Sequence, residues 1–373
     1  MARTVVGLDI GSSGLRAVEL TTGRSPQLVR SGSLPLPPGV VDAGAVRNPD
    51  QLAQALRRLW HDARLHHRRV VVGISGASVL VRQLELDWMP PADLRKSLRY
   101  QVGELLPVAV DDANIDHVLL GEHVTTDEQG QPRRMVRILL VATARGAVDD
   151  LVRCVESAGL QASAADLSAL ALIRASAYAA QRAEPTTEAV VDVGAEKVTF
   201  AIHTAGRPHL VRIAVGLGGA ALTRALAEQA GCGLEEAERA KLAGRLPAPE
   251  GELALSGHGG TPSVVPPRTP EGVAPAALLD GAHQLLAEMR ATIDFHRSSD
   301  HEHPPSRLVL VGGGAELTGF AELAGVTLGL PTRRLAAGDV LAGSGGRRHR
   351  GGVAGDSSSE LVVATGLALG AIG

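Results

Sequence analysis

Val5-Val6-Gly7-Leu8-Asp9-Ile10-Gly11-Ser12-Ser13-Gly14-Leu15-Arg16-Ala17-Val18-Glu19-Leu20 decides how the rest of the chain is read. Two apolar runs flank a tight Gly/Ser turn, and one acid, Asp9, stands near the end of the first run. The pattern predicts a β-hairpin: strand, short turn, strand. Gly11 and Gly14 let the backbone close round a phosphate-sized ligand, and Ser12 and Ser13 add hydroxyls beside backbone N–H groups. An acid beside such a loop suits a hydrated Mg²⁺ that bridges to phosphate. Alone, the stretch reads equally well as an ordinary hairpin with a surface aspartate.

The same plan returns downstream. Glu188-Ala189-Val190-Val191-Asp192-Val193-Gly194-Ala195-Glu196-Lys197-Val198-Thr199-Phe200-Ala201-Ile202 is again apolar strand, Asp-x-Gly turn, strand, which predicts two halves built on one plan. A third glycine-rich turn, Gly312-Gly313-Gly314-Ala315-Glu316, follows the apolar run Arg307–Val311. Three glycines ahead of a helix bring backbone N–H groups close to a planar or anionic ligand. Between these turns, Gly216-Leu217-Gly218-Gly219 leads into a helix expected near Ala220. The chain contains no G-x-x-x-x-G-K-[ST], and no G-x-G-x-x-G opens a helix after the first strand, so Walker and Rossmann readings both fail.

The 373 residues suffice for roughly two domains. Hydrophobic residues make up 45%, with only two Trp, two Tyr and three Phe, so the cores must be built from Leu, Val and Ala. A net charge of −3 gives no electrostatic case for nucleic acid. Cys154 and Cys232 form no C-x-x-C, which fits a reducing compartment and excludes a disulfide framework. No apolar run reaches the ~18–20 residues of a membrane span, and the start lacks a signal peptide's plan. The expectation is a soluble cytoplasmic protein, any membrane contact of which must come through a partner.

Periodicity predicts a helix over Gln51–Leu65, strands over Val70–Ser75 and Val79–Leu86, and a helix over Ala92–Leu106. Strands around His117–His123 and Val136–Thr143, a helix over Gly146–Ala158 and an Ala-rich helix over Ala164–Ala180 follow. Asp166 reads as the N-cap of that last helix. Helices are also predicted over Leu234–Leu242, Leu278–Phe295 and Leu361–Ile372. Residues 247–275 and 343–359 are Pro/Gly/Ser-rich and read as low-complexity loops. His66-His67 and His301-Glu302-His303 each lack a third ligand nearby, so the first reads as a solvated helix end and the second as linker.

Taken together, the turns at Asp9-Ile-Gly-Ser-Ser, Asp192-Val-Gly-Ala-Glu and Gly312-Gly-Gly-Ala-Glu resemble the phosphate-1, phosphate-2 and adenosine motifs of the actin-like ATPase superfamily. Within it the chain is similar to the PilM family of type IV pilus assembly proteins, relatives of FtsA. The opening Gly7–Ser13 with Val18-Glu19, the stretch Pro37-Pro38-Gly39 with Gly44-Ala45-Val46 and Pro49, and Tyr100–Pro107 with Asp116 carry that likeness. It runs from about residue 5 to residue 370, apart from the two loops.

The resemblance implies an α/β, two-lobed actin-like fold of duplicated ribonuclease-H-like domains with an inserted small α+β subdomain. Residues 1–79, 159–187 and 360–373 would form the first lobe, 80–158 the insertion, and 188–342 the second lobe, with 220–295 as its smaller part. ATP and Mg²⁺ would sit in the cleft. Asp9, Gly11, Ser12, Ser13 and Arg16 would hold phosphates and metal from one side, and Asp192, Gly194, Ala195, Lys197, Gly218 and Gly219 from the other. Asp9 and Asp192 would face Mg²⁺ through water. Glu238 and Lys241 would reach the ribose, and Gly312, Gly313, Gly314 and Glu316 would pack on the adenosine. Glu238 and Lys241, three apart on a helix, also suit a surface ion pair. Asp192 and Asp166 are the candidate catalytic acids, Asp166 because relatives place a water-orienting or metal-facing side chain there.

Two departures bear on turnover more than on binding: Lys197 and Val198 precede Thr199 where relatives carry small hydroxyl residues, and Arg16 stands where they often carry Lys. The implied function is an ATP-binding component of the pilus assembly platform, possessing slow ATPase activity at most. Its implied partner is the N-terminal cytoplasmic peptide of a PilN-like bitopic membrane protein. A sugar- or acetate-kinase-like phosphotransferase and an FtsA-like filament former are the alternatives. The kinase lacks a further catalytic-acid motif, and the filament former's anchor lacks a basic face at Gly366–Gly373.

Overall fold

The computed structural model describes residues 3–127, 129–181, 183–246, 270–342 and 358–372. The expected loop 343–359 falls outside these residues except at its last two positions, and so does 247–269.

In chain order the first part runs β1 (Thr4–Ile10), β2 (Gly14–Thr21), β3 (Leu28–Pro35), a short pair β4 (Val41–Asp42) and β5 (Ala45–Val46), then α1 (Pro49–Asp62) and β6 (Arg69–Ile74). Next come β7 (Val79–Asp87), α2 (Pro91–Gln101), β8 (Ala113–Thr126), β9 (Pro132–Ala144), α3 (Arg145–Ser157), β10 (Gln161–Leu167) and α4 (Ser168–Ala179). The later part runs β11 (Thr187–Val193), β12 (Lys197–Thr204), β13 (Arg207–Val215), α5 (Gly219–Ala230), α6 (Leu234–Ala243) and α7 (Pro270–Ser299). It ends with β14 (Arg307–Val311), α8 (Phe320–Leu328), β15 (Thr332–Arg334), α9 (Ala337–Ala342) and α10 (Val362–Gly370).

Two five-stranded sheets share one topology, β3-β2-β1-β6-β10 and β13-β12-β11-β14-β15. In each, three consecutive strands pair antiparallel as a meander, and two further strands add parallel beyond the first of them. The duplicated hairpin in the sequence is therefore the central element of two like sheets. Leu8, Leu52, Leu56, Val72 and Val155 fill the outer core of the first sheet, and Phe200, Leu226, Leu278, Met289 and Phe320 that of the second. Between the sheets, α10 packs with α4 on Val18 and Leu20 of one sheet and Val190 and Val309 of the other. From Val362 to Leu369 every residue of α10 is buried, which is why it carries no polar stripe.

A third sheet, β7-β9-β8, packs α2 on one face through Leu94, Leu98, Ile138 and Leu140. Its other face meets β13 and α4 through Leu120, Leu139, Ile173 and Val211. Arg207 ties the two parts by donating its Nε hydrogen to the Leu120 carbonyl at 2.9 Å.

The Asn48 carboxamide accepts from the Gln51 N–H at 3.1 Å and starts α1 at Pro49. The Ala-rich stretch is a correction. Residues 161–167 form a strand, paired parallel with β6, and the helix begins only at Ser168. Alanine favours helix locally, but an unpaired β6 edge is satisfied by adding a strand, and tertiary pairing wins. The N-cap of α4 is Leu167 and has no side-chain cap, so Asp166 does not cap it. Helix α7 also begins at Pro270, which places residues 270–275 of the expected loop in a helix.

Candidate functional site

The two hairpin turns close in the same way. The Gly11 N–H donates to the Gly14 carbonyl at 2.9 Å, and the Gly194 N–H donates to the Lys197 carbonyl at 3.0 Å. Each turn is thus pinned across three residues, and each sits at the end of a central strand. Asp9 lies opposite Arg16 in the first hairpin, and Asp192 lies opposite Thr199 in the second, beside Val311 of the parallel neighbour. Ser12 is half-buried, and Ser13 is exposed while its carbonyl accepts from the Leu36 N–H at 2.9 Å.

Five charged side chains gather between the turns. Arg16 donates from Nη1 to the Gly14 carbonyl at 3.2 Å and lies 3.4 Å from the Glu360 carboxylate through Nε. Lys197 donates from Nζ to Ser75 Oγ at the end of β6, so a side chain of the second hairpin reaches the first sheet. Burial pushes the Asp192 carboxyl up to about 6, and the neighbouring Asp9 pushes in the same direction, against the opposing pull of Lys197 and Arg16. Three carboxylates, those of Asp9, Asp192 and Glu360, share this cleft with two cations, Arg16 and Lys197. Such a donor set fits a hydrated divalent cation.

The turn Gly312–Glu316 closes over Asp192. Gly312 has φ of 85°, and a Cβ there would stand 2.3 Å from Asp192 Oδ1. Only a residue without a side chain lets this backbone approach the acid so closely. Gly313 and Gly314 continue the turn over Glu360 and Val193. Glu316 is used locally: it accepts from Arg334 Nη1 at 2.6 Å and from the Ser359 N–H at 3.1 Å, which docks the segment leading into α10.

Gly218 and Gly219 meet the second turn through the backbone. The Gly219 and Ala220 N–H groups donate to the Gly194 and Ala195 carbonyls, each at 2.9 Å. The first amides of α5 therefore brace the second turn. Behind them, Lys241 donates from Nζ to the Gly219 carbonyl at 3.1 Å and to Thr223 Oγ1 at 3.0 Å, and pairs with Glu238 at 2.7 Å. Glu238 and Lys241 do share a helix face, and the face is turned to the turn that α5 braces.

Asp166 is a partner of Arg174, whose Nη1 donates to Asp166 Oδ2 at 3.0 Å and to the Gly366 carbonyl at 2.7 Å. Sequence reasoning missed Ser75, Thr223 and Glu360. The first two carry no motif, and Glu360 adjoins a low-complexity run that hides it; only its contact with Arg16 reveals it.

A cavity of about 570 Å³ opens between the third sheet and the second. Val118, Leu170, Ile173, Ala177 and Pro208 line it, with Glu188 beside them. Glu188 is buried, accepts from Ser176 Oγ at 2.7 Å and lies 3.5 Å from Arg307. Burial holds the adjacent His203 down at about 4, so this histidine is neutral near pH 7 and forms no ion pair with Glu188.

Comparisons with known proteins agree with this geometry. The family model described as Type IV pilus assembly protein PilM matches residues 7–256. The chain is similar to the cell division protein FtsA of Pseudomonas aeruginosa, 25% identical over 360 residues that cover 89% of this chain and 82% of that protein. The solved PilM-PilN type IV pilus biogenesis complex contains a chain 25% identical to this one, with a TM-score of 0.79 and coverage of 99% and 98%. The ethanolamine utilization protein EutJ from Carboxydothermus hydrogenoformans shares the fold at 16% identity, a TM-score of 0.53 and coverage of 99% and 90%. Among the described residues no helix is long and apolar enough to cross a membrane. With two like sheets, two Asp-bearing turns and a glycine turn over the second acid, the chain belongs to the PilM family of type IV pilus assembly proteins, within the actin-like ATPase superfamily.

Proposed function

We propose that this protein binds ATP·Mg²⁺ between its two hairpin turns and uses the bound state to set its grip on a PilN-like partner of the pilus platform. The observation that carries the reading is the convergence of Asp9, Arg16, Asp192, Lys197 and Gly312 on one cleft between two like sheets. In it, Gly11, Ser12 and Ser13 offer phosphate contacts from one turn and Gly194 and Ala195 from the other. Asp9 and Asp192 orient the waters of Mg²⁺, while Arg16 and Lys197 offset phosphate charge. Glu238 and Lys241 face the ribose, and Gly312–Gly314 form the adenosine shelf. Bound Mg²⁺ supplies the positive charge that two facing carboxylates and a triphosphate both require.

Lobes of residues 1–79, 159–187 and 360–373 on one side and 188–342 on the other would close on the nucleotide, with 80–158 carried on the first. The Lys197 bridge to Ser75 spans those lobes and is one contact closure would remake. The cavity beside Val118 and Pro208, which adds Arg174, Glu184 and Glu188 to its apolar lining, suits a short segment of the partner, taken as the N-terminal cytoplasmic peptide of a bitopic PilN-like protein. That peptide would hold this chain at the inner face of the membrane.

Coupling between the two ligands is reciprocal. A fluorescent PilN N-terminal peptide is expected to bind at least about fivefold tighter with ATP·Mg²⁺ than without, the lower end of ordinary allosteric coupling. Val118→Arg, which places a charge in the cavity, is expected to weaken that binding. No peptide binding in either nucleotide state would remove the partner reading.

A further inference from the structure

At the opposite end of β13 from the second turn, three side chains from two parts of the chain meet at the end of α7. His209 comes from β13, Asp300 follows the last residue of the helix, and His303 stands in the turn beyond. One ligand atom from each of the three lies within 4.8 Å of the other two. We propose that His209, Asp300 and His303 form a binding site for a divalent transition metal, Zn²⁺ by donor type, that pins the α7–β14 connection to the second sheet.

The distances suit that ion. His303 Nδ1 lies 3.0 and 3.1 Å from the two Asp300 oxygens, and His209 Nδ1 lies 3.6 Å from Asp300 Oδ2. Zn²⁺ bonds of about 2.0–2.1 Å to imidazole and carboxylate put tetrahedral donors roughly 3.3 Å apart. Two imidazoles and one carboxylate leave a fourth position for water, the ligand count of an open site.

The ring that matters most is already oriented. His209 Nε2 lies 2.9 Å from Thr204 Oγ1, which in turn lies 2.9 Å from Thr187 Oγ1. An Nε2–H donated to Thr204 leaves the Nδ1 lone pair aimed at Asp300, the outer-shell arrangement that metal-ligating histidines commonly have.

The turn is held from behind by His296, whose Nε2 donates to the His303 carbonyl at 2.9 Å. At present the His209 and His303 rings stack at 4.0 Å, inclined by 21°. The His303 side chain is 35% exposed and has room to tilt until its Nδ1 converges on the same point. His303 belongs to the His-x-His that the sequence presented as linker, because its third ligand lies on a strand almost a hundred residues upstream.

Equilibrium dialysis of the tag-free, full-length chain against micromolar Zn²⁺, with Mg²⁺ as the control ion, tests the site. Wild type is expected to retain about one Zn²⁺ per chain and to unfold at a higher temperature with Zn²⁺ than without, by ligand linkage. Asp300→Asn and His303→Ala, both at a helix end and turn, are each expected to bind at least about tenfold more weakly and to lose that thermal shift. Thr204→Val, which frees the His209 ring, is expected to weaken binding by a similar factor while its zinc-free stability reports any folding defect. Retention no greater than with Mg²⁺, or equal retention by wild type and both ligand variants, overturns the proposal; in the second case exposed histidines elsewhere hold the ion.

Discussion

Asp192→Asn is expected to make the nucleotide-free protein more stable at pH 8 and to leave its stability unchanged near pH 4. The folded-state pKa of Asp192 is raised to about 6, above the ~3.9 of an unfolded chain. A carboxyl raised in this way prefers to be protonated in the folded state. Its ionisation therefore costs nothing below about pH 4, costs progressively more from pH 4 to 6, and costs its full amount above pH 6. Two units correspond to about 3 kcal/mol as a ceiling, so the amide variant is expected to gain about 1–3 kcal/mol at pH 8. Urea unfolding of the two proteins across this pH range measures the difference.

With saturating ATP·Mg²⁺ the order is expected to reverse. The wild-type carboxylate gains a cation to face, whereas the amide has no charge to contribute. A variant of equal or lower stability at every pH, with no trend between pH 4 and 8, would contradict the crowded-acid picture. The physical content is that the cleft stores electrostatic strain which a bound cation relieves, much as perturbed acids mark sites elsewhere.

Gly312→Ala is expected to destabilise the chain by about 3 kcal/mol or more and to abolish nucleotide binding. Two costs combine, one from a side chain at positive φ and one from overpacking against a neighbour that cannot retreat. The new Cβ would stand 2.3 Å from Asp192 Oδ1, a side-chain atom, and 2.7 Å from the Val193 carbonyl, which the strand beneath holds in place. Gly329→Ala separates these costs. Gly329 also has positive φ, at 65°, but no atom lies within 4 Å of the added carbon. It is expected to cost only about 1 kcal/mol and to leave binding intact. If the two variants unfold alike, the glycine turn is not clamped over Asp192.

Much of the fold was legible because its central elements are local. The hairpins at Asp9 and Asp192 announce themselves by apolar runs on either side of an Asp-x-Gly turn, and the identical turn hydrogen bonds follow from that pattern. The strand over Gln161–Leu167 was illegible for the opposite reason. Its Ala-Ser-Ala-Ala composition points to helix, and only the vacant edge of β6, distant in sequence, makes it a strand. Strands β3 and β15 likewise owe their pairing to neighbours rather than to their own composition.

The site divides in the same manner. Residues on the turns were found from spacing, while Ser75 and Glu360 were not, because each matters only through one contact made across the fold. The cap reading of Asp166 fails in the reverse way: a lone acid before Leu-Ser-Ala looks like a cap, but the α4 N-cap is Leu167 and Asp166 pairs with Arg174. Glu316 is held by Arg334 and Ser359, one on each oxygen.

The central claim is that Asp9 and the facing turn form a metal-dependent nucleotide site. Calorimetric titration of ATP·Mg²⁺ into wild type and Asp9→Ala tests it most directly. Saturable binding by wild type that weakens without Mg²⁺ is expected, with at least tenfold weaker binding by the variant, a loss of about 1.4 kcal/mol or more. Measurable affinity that is equal for the two proteins, or unchanged when Mg²⁺ is removed, would contradict it.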